Sequence, residues 1–253
     1  MLFDTHAHLN DPAFDEDREA LIWSLPEKGI GTVMNVGCCL ESSKDCMAMA
    51  EKYPHIYASV GSHPDSADEV CEEVLEQYRI MCRHPKVLAV GEIGLDYYYE
   101  TIPREIQIRA FEMQMELAQQ VDLPVIVHER NAHGDGMDVV QKFPKVTGVF
   151  HCYSGAAEMA KQLVKKGWYI GFTGVLTFKN ARKAVETAAA VPLDRIVLET
   201  DCPFMSPEPY RGRRNDPTRL IYMAEKLGEI RGISAEEVIA ITTENARRLY
   251  RMA

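Results

Sequence analysis

Nothing in this sequence approaches the ~20 consecutive apolar residues of a membrane-spanning helix, and Met1-Leu2-Phe3-Asp4-Thr5-His6 carries no basic segment followed by an apolar one. A cytoplasmic protein without a membrane partner is expected. Cys-x-x-Cys pairs are missing too. The seven cysteines (Cys38, Cys39, Cys46, Cys71, Cys82, Cys152 and Cys202) form an odd set, which fits reduced thiols packing as small hydrophobes. Nor is there an excess of positive charge: 28 basic residues against 38 acidic ones give −10. That excludes nucleic-acid binding through bulk charge and leaves any polyanion to a local site. Glycine-rich phosphate loops, serine-triad signatures, low-complexity stretches and long linkers are also absent.

What remains is ordinary globular material, 46% hydrophobic and 26% charged over 253 residues, enough for one sizeable core and a single domain spanning residues 1–253. Short runs rich in Val, Ile and aromatic residues recur at Leu2–Asp4, Thr32–Val36, Ile56–Val60, Val87–Val90, Val125–Val127, Thr147–Phe150, Trp168–Phe172 and Arg195–Leu198. Helical signals lie between most of them. Pro103 opens a segment with Ile106, Ala110, Met113 and Leu117 at helical spacing, and Ser234 with Glu237 forms a capping-box pattern before a final helix. Eight strands alternating with helices predict an α/β fold, a (β/α)8 TIM barrel, although an open doubly wound sheet would give a similar rhythm.

The unusual residues cluster just after the apolar runs, where a barrel of this type carries its active site. His6 and His8, His63, His128 and His151 each follow such a run, as do Glu92 and Asp201, with Glu199 two residues before Asp201 on the same face. In His6-Ala7-His8 the strand period of two aims both imidazoles to one side. Gathering so many ionisable groups on one rim would bury charges that a divalent cation neutralises. Imidazoles mixed with carboxylates suit zinc, manganese or iron and also accept magnesium. His55, His84 and His133, in loops or beside prolines, are expected to be solvated.

Five segments carry a resemblance: Asp4-Thr5-His6-Ala7-His8-Leu9, Gly91-Glu92-Ile93-Gly94-Leu95-Asp96-Tyr97, His151-Cys152-Tyr153-Ser154-Gly155, Leu198-Glu199-Thr200-Asp201-Cys202-Pro203 and Asn245-Ala246-Arg247-Arg248-Leu249. Nearly end to end, the chain resembles the TatD family of metal-dependent deoxyribonucleases within the amidohydrolase-like barrels. The resemblance implies two divalent ions (Mg, Mn or Zn), one held by His6, His8, Glu92 and Asp201, with Glu92 bridging to a second held by His128 and His151. It places His63 and Glu199 in the same pocket, and assigns catalysis to Asp201 as proton acceptor, with Glu92, His63 and Glu199 assisting. Cys202, Pro64-Asp65 and His128-Glu129-Arg130-Asn131-Ala132 depart from the family's commoner residues without removing a ligand.

A local basic loop, Arg211-Gly212-Arg213-Arg214-Asn215, resembles a family stretch in which arginines would grip phosphate oxygens. The function implied is hydrolysis of DNA phosphodiester bonds from an end, of the 3'-5' exonuclease type, with DNA, single-stranded or terminal, as the partner. Because barrel and ligands do not define the bond cleaved, a lactonase, amidase or phosphotriesterase stands as an alternative. A non-catalytic metal-bound interaction protein is the second, and the presence of Asp201 and Glu199 argues against it, since a purely structural site is usually closed.

Overall fold

The computed structural model describes residues 1–99 and 101–252. Eight strands form one parallel sheet in sequence order: β1 (Leu2–Ala7), β2 (Ile30–Val36), β3 (Ile56–Val60), β4 (Val87–Asp96), β5 (Val125–Arg130), β6 (Gly148–Phe150), β7 (Tyr169–Phe172) and β8 (Ile196–Leu198). Between them run α1 (Arg18–Ser24), α2 (Leu40–Lys52), α3 (Glu72–Met81), α4 (Arg104–Val121), α5 (His133–Lys142), α6 (Ala157–Lys165) and α7 (Arg182–Ala190). The last strand is followed by α8 (Leu220–Arg231) and α9 (Ala235–Leu249). The open-sheet alternative falls because β8 returns to β1: Ala7 bridges in parallel to Cys202, and the Asp201 N–H donates to the His6 carbonyl at 2.8 Å. The result is a (β/α)8 barrel.

Strand after strand, the side-chain period of two sends residues to opposite faces. Leu2, Val33, Ile56, Val90, Val125, Ile170 and Ile196 pack outward into the layer beneath the helices. Phe3, Met34, Ala89, Ile126, Val149, Tyr169 and Val197 point inward and fill the lower barrel with an apolar plug. Helix α9 closes that end, as its Ser234–Glu237 capping box fixes its start and Ala246, Leu249 and Tyr250 join the plug. The Tyr250 hydroxyl donates to the Thr5 carbonyl at 3.1 Å.

Several strands run past the apolar stretches that announce them. β4 continues from Val90 to Asp96, because its pairing with β5 persists through Ile93–Val127, Gly94–His128 and Asp96–Arg130. Gly94 is needed there: its φ of 140° disfavours L side chains, and an added Cβ would lie 2.0 Å from the His128 carbonyl oxygen. His6, Glu92 and His128 therefore stand within strands, while His63, His151 and Asp201 follow strand ends. Among the described residues, no helix is long and apolar enough to cross a membrane.

Candidate metal centre

Above the apolar plug the barrel interior turns ionisable. His6 and His8 do point to one side, their Nε2 atoms 3.1 Å apart. Glu92 Oε2 lies 3.3 Å from His6 Nε2 and 3.7 Å from His8 Nε2, and Asp201 Oδ1 approaches the same two nitrogens at 3.7 and 3.4 Å. The other carboxylate oxygen of Glu92 faces a different set: His151 Nε2 at 2.8 Å, His128 Nδ1 at 2.9 Å and His63 Nε2 at 3.8 Å. One buried side chain thus joins two donor clusters through its two oxygens.

Neighbours hold these groups in place. The far nitrogen of His128, Nε2, sits 3.1 Å from Asp96 Oδ2, and His63 Nδ1 sits 2.8 Å from Asp65 Oδ1. Glu199, fully buried, accepts the Cys152 N–H at 2.5 Å and a 3.4 Å bond from the Thr5 hydroxyl, while its Oε1 lies 3.6 Å from His151 Nδ1. Gly171 leaves room for it, since a Cβ there would come within 2.7 Å of Glu199 Oε2. Asp4, buried under β1, accepts from the Thr200 N–H and hydroxyl, and burial pushes its carboxyl up to about 7.

The carboxylates of the cluster hold their charge against burial by drawing protons onto the histidines. Burial alone would raise the Glu92 carboxyl, yet the imidazoles of His151, His6 and His63 hold it well below its ordinary value. The same contest, won by His8, His151 and His6, lowers Asp201. Burial disfavours charge on His151 and His128 as well. Glu92 and Glu199 nonetheless raise His151, and Asp96 and Glu92 raise His128. His6 goes the other way, lowered by burial and by the charge on His151.

The donor set passes a geometric test. Atoms bound to one ion at about 2.0–2.2 Å lie about 3–3.5 Å apart, close to the separations within each cluster. His6 Nδ1 is buried without a hydrogen-bond partner, so its Nε2 is the nitrogen engaged with the cluster. The triads His6–His8–Glu92 and His63–Glu92–His128 each bring their donor atoms within 4.8 Å of one another. Divalent ions would replace the protons that the carboxylates now draw onto the histidines.

Two cavities open from this centre, of about 490 and 500 Å³, and both include His128, Arg130, His151, Asp201 and Met205 in their walls. Of the residues singled out in the sequence, His6, His8, His63, Glu92, His128, His151, Glu199 and Asp201 come together here. The basic loop does not join them. Arg214 spans both carboxylate oxygens of Asp17 at 2.6 Å, the Arg211 guanidinium lies 4.3 Å from the Phe178 ring centroid, and Arg213 is exposed. His55 is a correction to the expectation of solvent exposure: it is buried and bonds the Ile22 carbonyl, because β3 begins directly beside it. His84 is half-buried beside Glu51, and His133 pairs with Glu129.

Sequence reading passed over Asp96, Arg130 and Cys38. Arg130 follows His128 by two on β5, so the strand period was the available signal. Cys38 Sγ lies 3.6 Å from His8 Nδ1 and 3.8 Å from Glu92 Oε2, a proximity that only the pairing of β1, β2 and β4 creates.

A family model described as TatD related DNase matches residues 3–251. An uncharacterized metal-dependent hydrolase of Bacillus subtilis, YabD, is 41% identical over all of both chains. A relative from Erwinia tasmaniensis named a 3'-5' ssDNA/RNA exonuclease, TatD, is 30% identical across 99% of this chain and 100% of its own. The crystal structure of YjjV, a TatD homologue from Escherichia coli, superposes with a TM-score of 0.93 at 31% identity, covering 100% of this chain and 98% of that one. With the barrel, the two-sided carboxylate and these likenesses in hand, the chain belongs to the TatD family of metal-dependent hydrolases.

Proposed function

We propose that this protein removes nucleotides from the ends of DNA strands by hydrolysing phosphodiester bonds. The observation that carries the reading is Glu92, whose two oxygens serve two histidine clusters at the floor of open cavities, the arrangement required for a pair of divalent ions. His6, His8, Glu92 and Asp201 would hold one ion, and Glu92, His128 and His151 would hold the other. When bound, such ions supply positive charge to the phosphoryl oxygens and make water acidic enough to attack near neutral pH. The exonuclease name of the Erwinia relative supports the choice of nucleic acid.

Asp201 lines both cavities, and its carboxyl, held below its ordinary value, is unprotonated and able to take the proton of the attacking water. His63 stands in one cavity wall, oriented by Asp65, and can return a proton to the leaving oxygen. Glu199 has no exposed surface, so it acts as a positioning residue that fixes the Cys152 backbone next to His151. Asp96 does the same for His128 through its outer nitrogen. The mouth admits an end of a strand more readily than a stacked internal base pair, and the acidic chain offers no bulk charge to hold a duplex.

The decisive assay strips the protein with a chelator and restores single ions. It then offers linear and covalently closed single-stranded DNA, duplex DNA, RNA, and model lactones, amides and phosphotriesters. Ion-dependent release of nucleotides from linear strands alone is the expected result. Equal cutting of closed circles, full activity in the stripped protein, or turnover of only the small esters or amides refutes the reading.

A further inference from the structure

The two cavities that meet at the metal centre are unlike, and their chemistry differs in the way a nucleic-acid strand differs between its body and its tip. The first is walled by Arg130, Asn180, Arg182 and Lys183, the last two from the first turn of α7. The second holds Tyr99 and Phe204 together with the carboxylates of Asp65 and Asp96. Resting on the nuclease reading above, the geometry points to a divided substrate cleft. The basic arm holds the backbone phosphates of the strand body, and the aromatic arm stacks the terminal nucleoside that is released.

Cations in this acidic chain are commonly paired: Arg214 with Asp17, Arg79 with Glu76, Lys142 with Glu112. Among the described residues, Arg130 and Lys183 have no carboxylate within salt-bridge distance, and Arg182 pairs only with Glu186 on its own helix. The unpaired charges of Arg130 and Lys183 are available to an anion in the cavity they line, and Arg182 adds a third cation beside its partner Glu186. Arg130 sits where the arms meet. Its guanidinium lies 3.8 Å from the Tyr98 ring centroid and 5.0 Å from that of Tyr99, a stack that holds it in place without consuming its charge.

The second arm sets Asp65 and Asp96 beside His63 and His128 and has no arginine or lysine apart from the shared Arg130, so the strand body finds fewer cationic partners there. A nucleobase needs none. Tyr99 and Phe204 are 65% and 53% exposed, and both line this cavity and not the first. A concentration of exposed rings at one cavity mouth is a stacking platform, since every base offers a π face whatever its identity. Sequence-independent removal of one nucleotide at a time follows from that division.

Two double substitutions separate the arms, measured on a strand of about twelve nucleotides and on a dinucleotide. For Arg182→Ala with Lys183→Ala, the strand-to-dinucleotide ratio of kcat/KM falls about tenfold. The plot of log kcat/KM against log salt becomes shallower by about 1.4, from two lost phosphate contacts at ~0.7 each. Arg182→Lys with Lys183→Arg keeps both charges and restores ratio and slope. For Tyr99→Ala with Phe204→Ala, strand and dinucleotide both lose about 5- to 100-fold, and the salt slope stays at the wild-type value. If wild-type protein cleaves strands but the alanine pair in α7 leaves ratio and slope unaltered, or both pairs give the same pattern, the divided cleft is wrong while the nuclease reading stands. If the ion-restored wild type cleaves no nucleic acid, both fall.

Discussion

The lower and upper halves of the barrel interior are built on the same eight strands and obey opposite rules. Below, Phe3, Met34, Val149, Tyr169 and Val197 fill space with apolar surface and need only shape. Above, His6, Glu92, His151, Glu199 and Asp201 crowd ionisable groups into equal burial. The difference teaches where stability and function reside. The plug lowers the energy of the fold by removing apolar area from water, whereas the upper half holds charges that an apolar core would not tolerate without a cation.

The largest expected effect breaks the upper half alone. Asp201→Asn keeps side-chain shape and removes the proposed proton acceptor, so activity should fall ~10²–10⁴-fold even at saturating metal, while the denaturation midpoint holds or rises. Recovery to within about tenfold of wild type at high metal would reduce Asp201 to a ligand. Met34→Ala probes the plug, on a strand that supplies no ligand. Stability should drop about 2–5 kcal/mol in a denaturant titration, with the rate per folded molecule kept within about threefold; a larger loss of rate would show the halves to be mechanically coupled.

Asp96→Ala tests the boundary between holding and reacting. Loss of an outer partner of a ligating histidine weakens metal affinity about 10–100-fold, and excess metal should restore turnover; an unrestored rate would place Asp96 in the chemistry itself. Protons sharpen the same contrast. In metal-free protein the raised His128 and His151 stabilise the fold below their ordinary 6.5, and that contribution is lost as pH climbs through their folded values. Metal binding displaces those protons, so apparent affinity should rise with pH across and above 6.5, by at most about tenfold per pH unit for each proton displaced. Titration calorimetry in buffers of different ionisation enthalpy counts the protons released, and a count of zero contradicts the assignment. The smallest effect belongs to Tyr250→Phe, which removes the hydroxyl bond to the Thr5 carbonyl and should cost about 0.5–1.5 kcal/mol, read as a shift in the denaturant midpoint without loss of rate.

Much of this was legible in the sequence, for a physical reason. Strands of a parallel barrel are buried on both faces and read as continuous Val and Ile runs, so β2, β3 and β8 stand within two residues of where the sequence puts them. A histidine or acid interrupting such a run is conspicuous, which exposed His6, Glu92, His128 and Asp201. Asp96 is not conspicuous, because its importance comes from the register that sets β4 beside β5. Arg182 and Lys183 look like any solvated helix start until the fold turns α7 toward the centre. The basic loop shows the reverse, since its motif is plain but only the fold reveals that Arg214 pairs with Asp17, far away in sequence.

The seam between β1 and β8 sets an order in time. His6 and His8 are synthesised well before Asp201, whose backbone N–H meets the His6 carbonyl. At about 5–20 residues per second, roughly ten to forty seconds separate the two. Throughout that interval His6 and His8 lack the carboxylate that stands beside them in the folded barrel. Only a chain translated through Cys202 can draw the seam shut and bring Asp201 to His6 and His8.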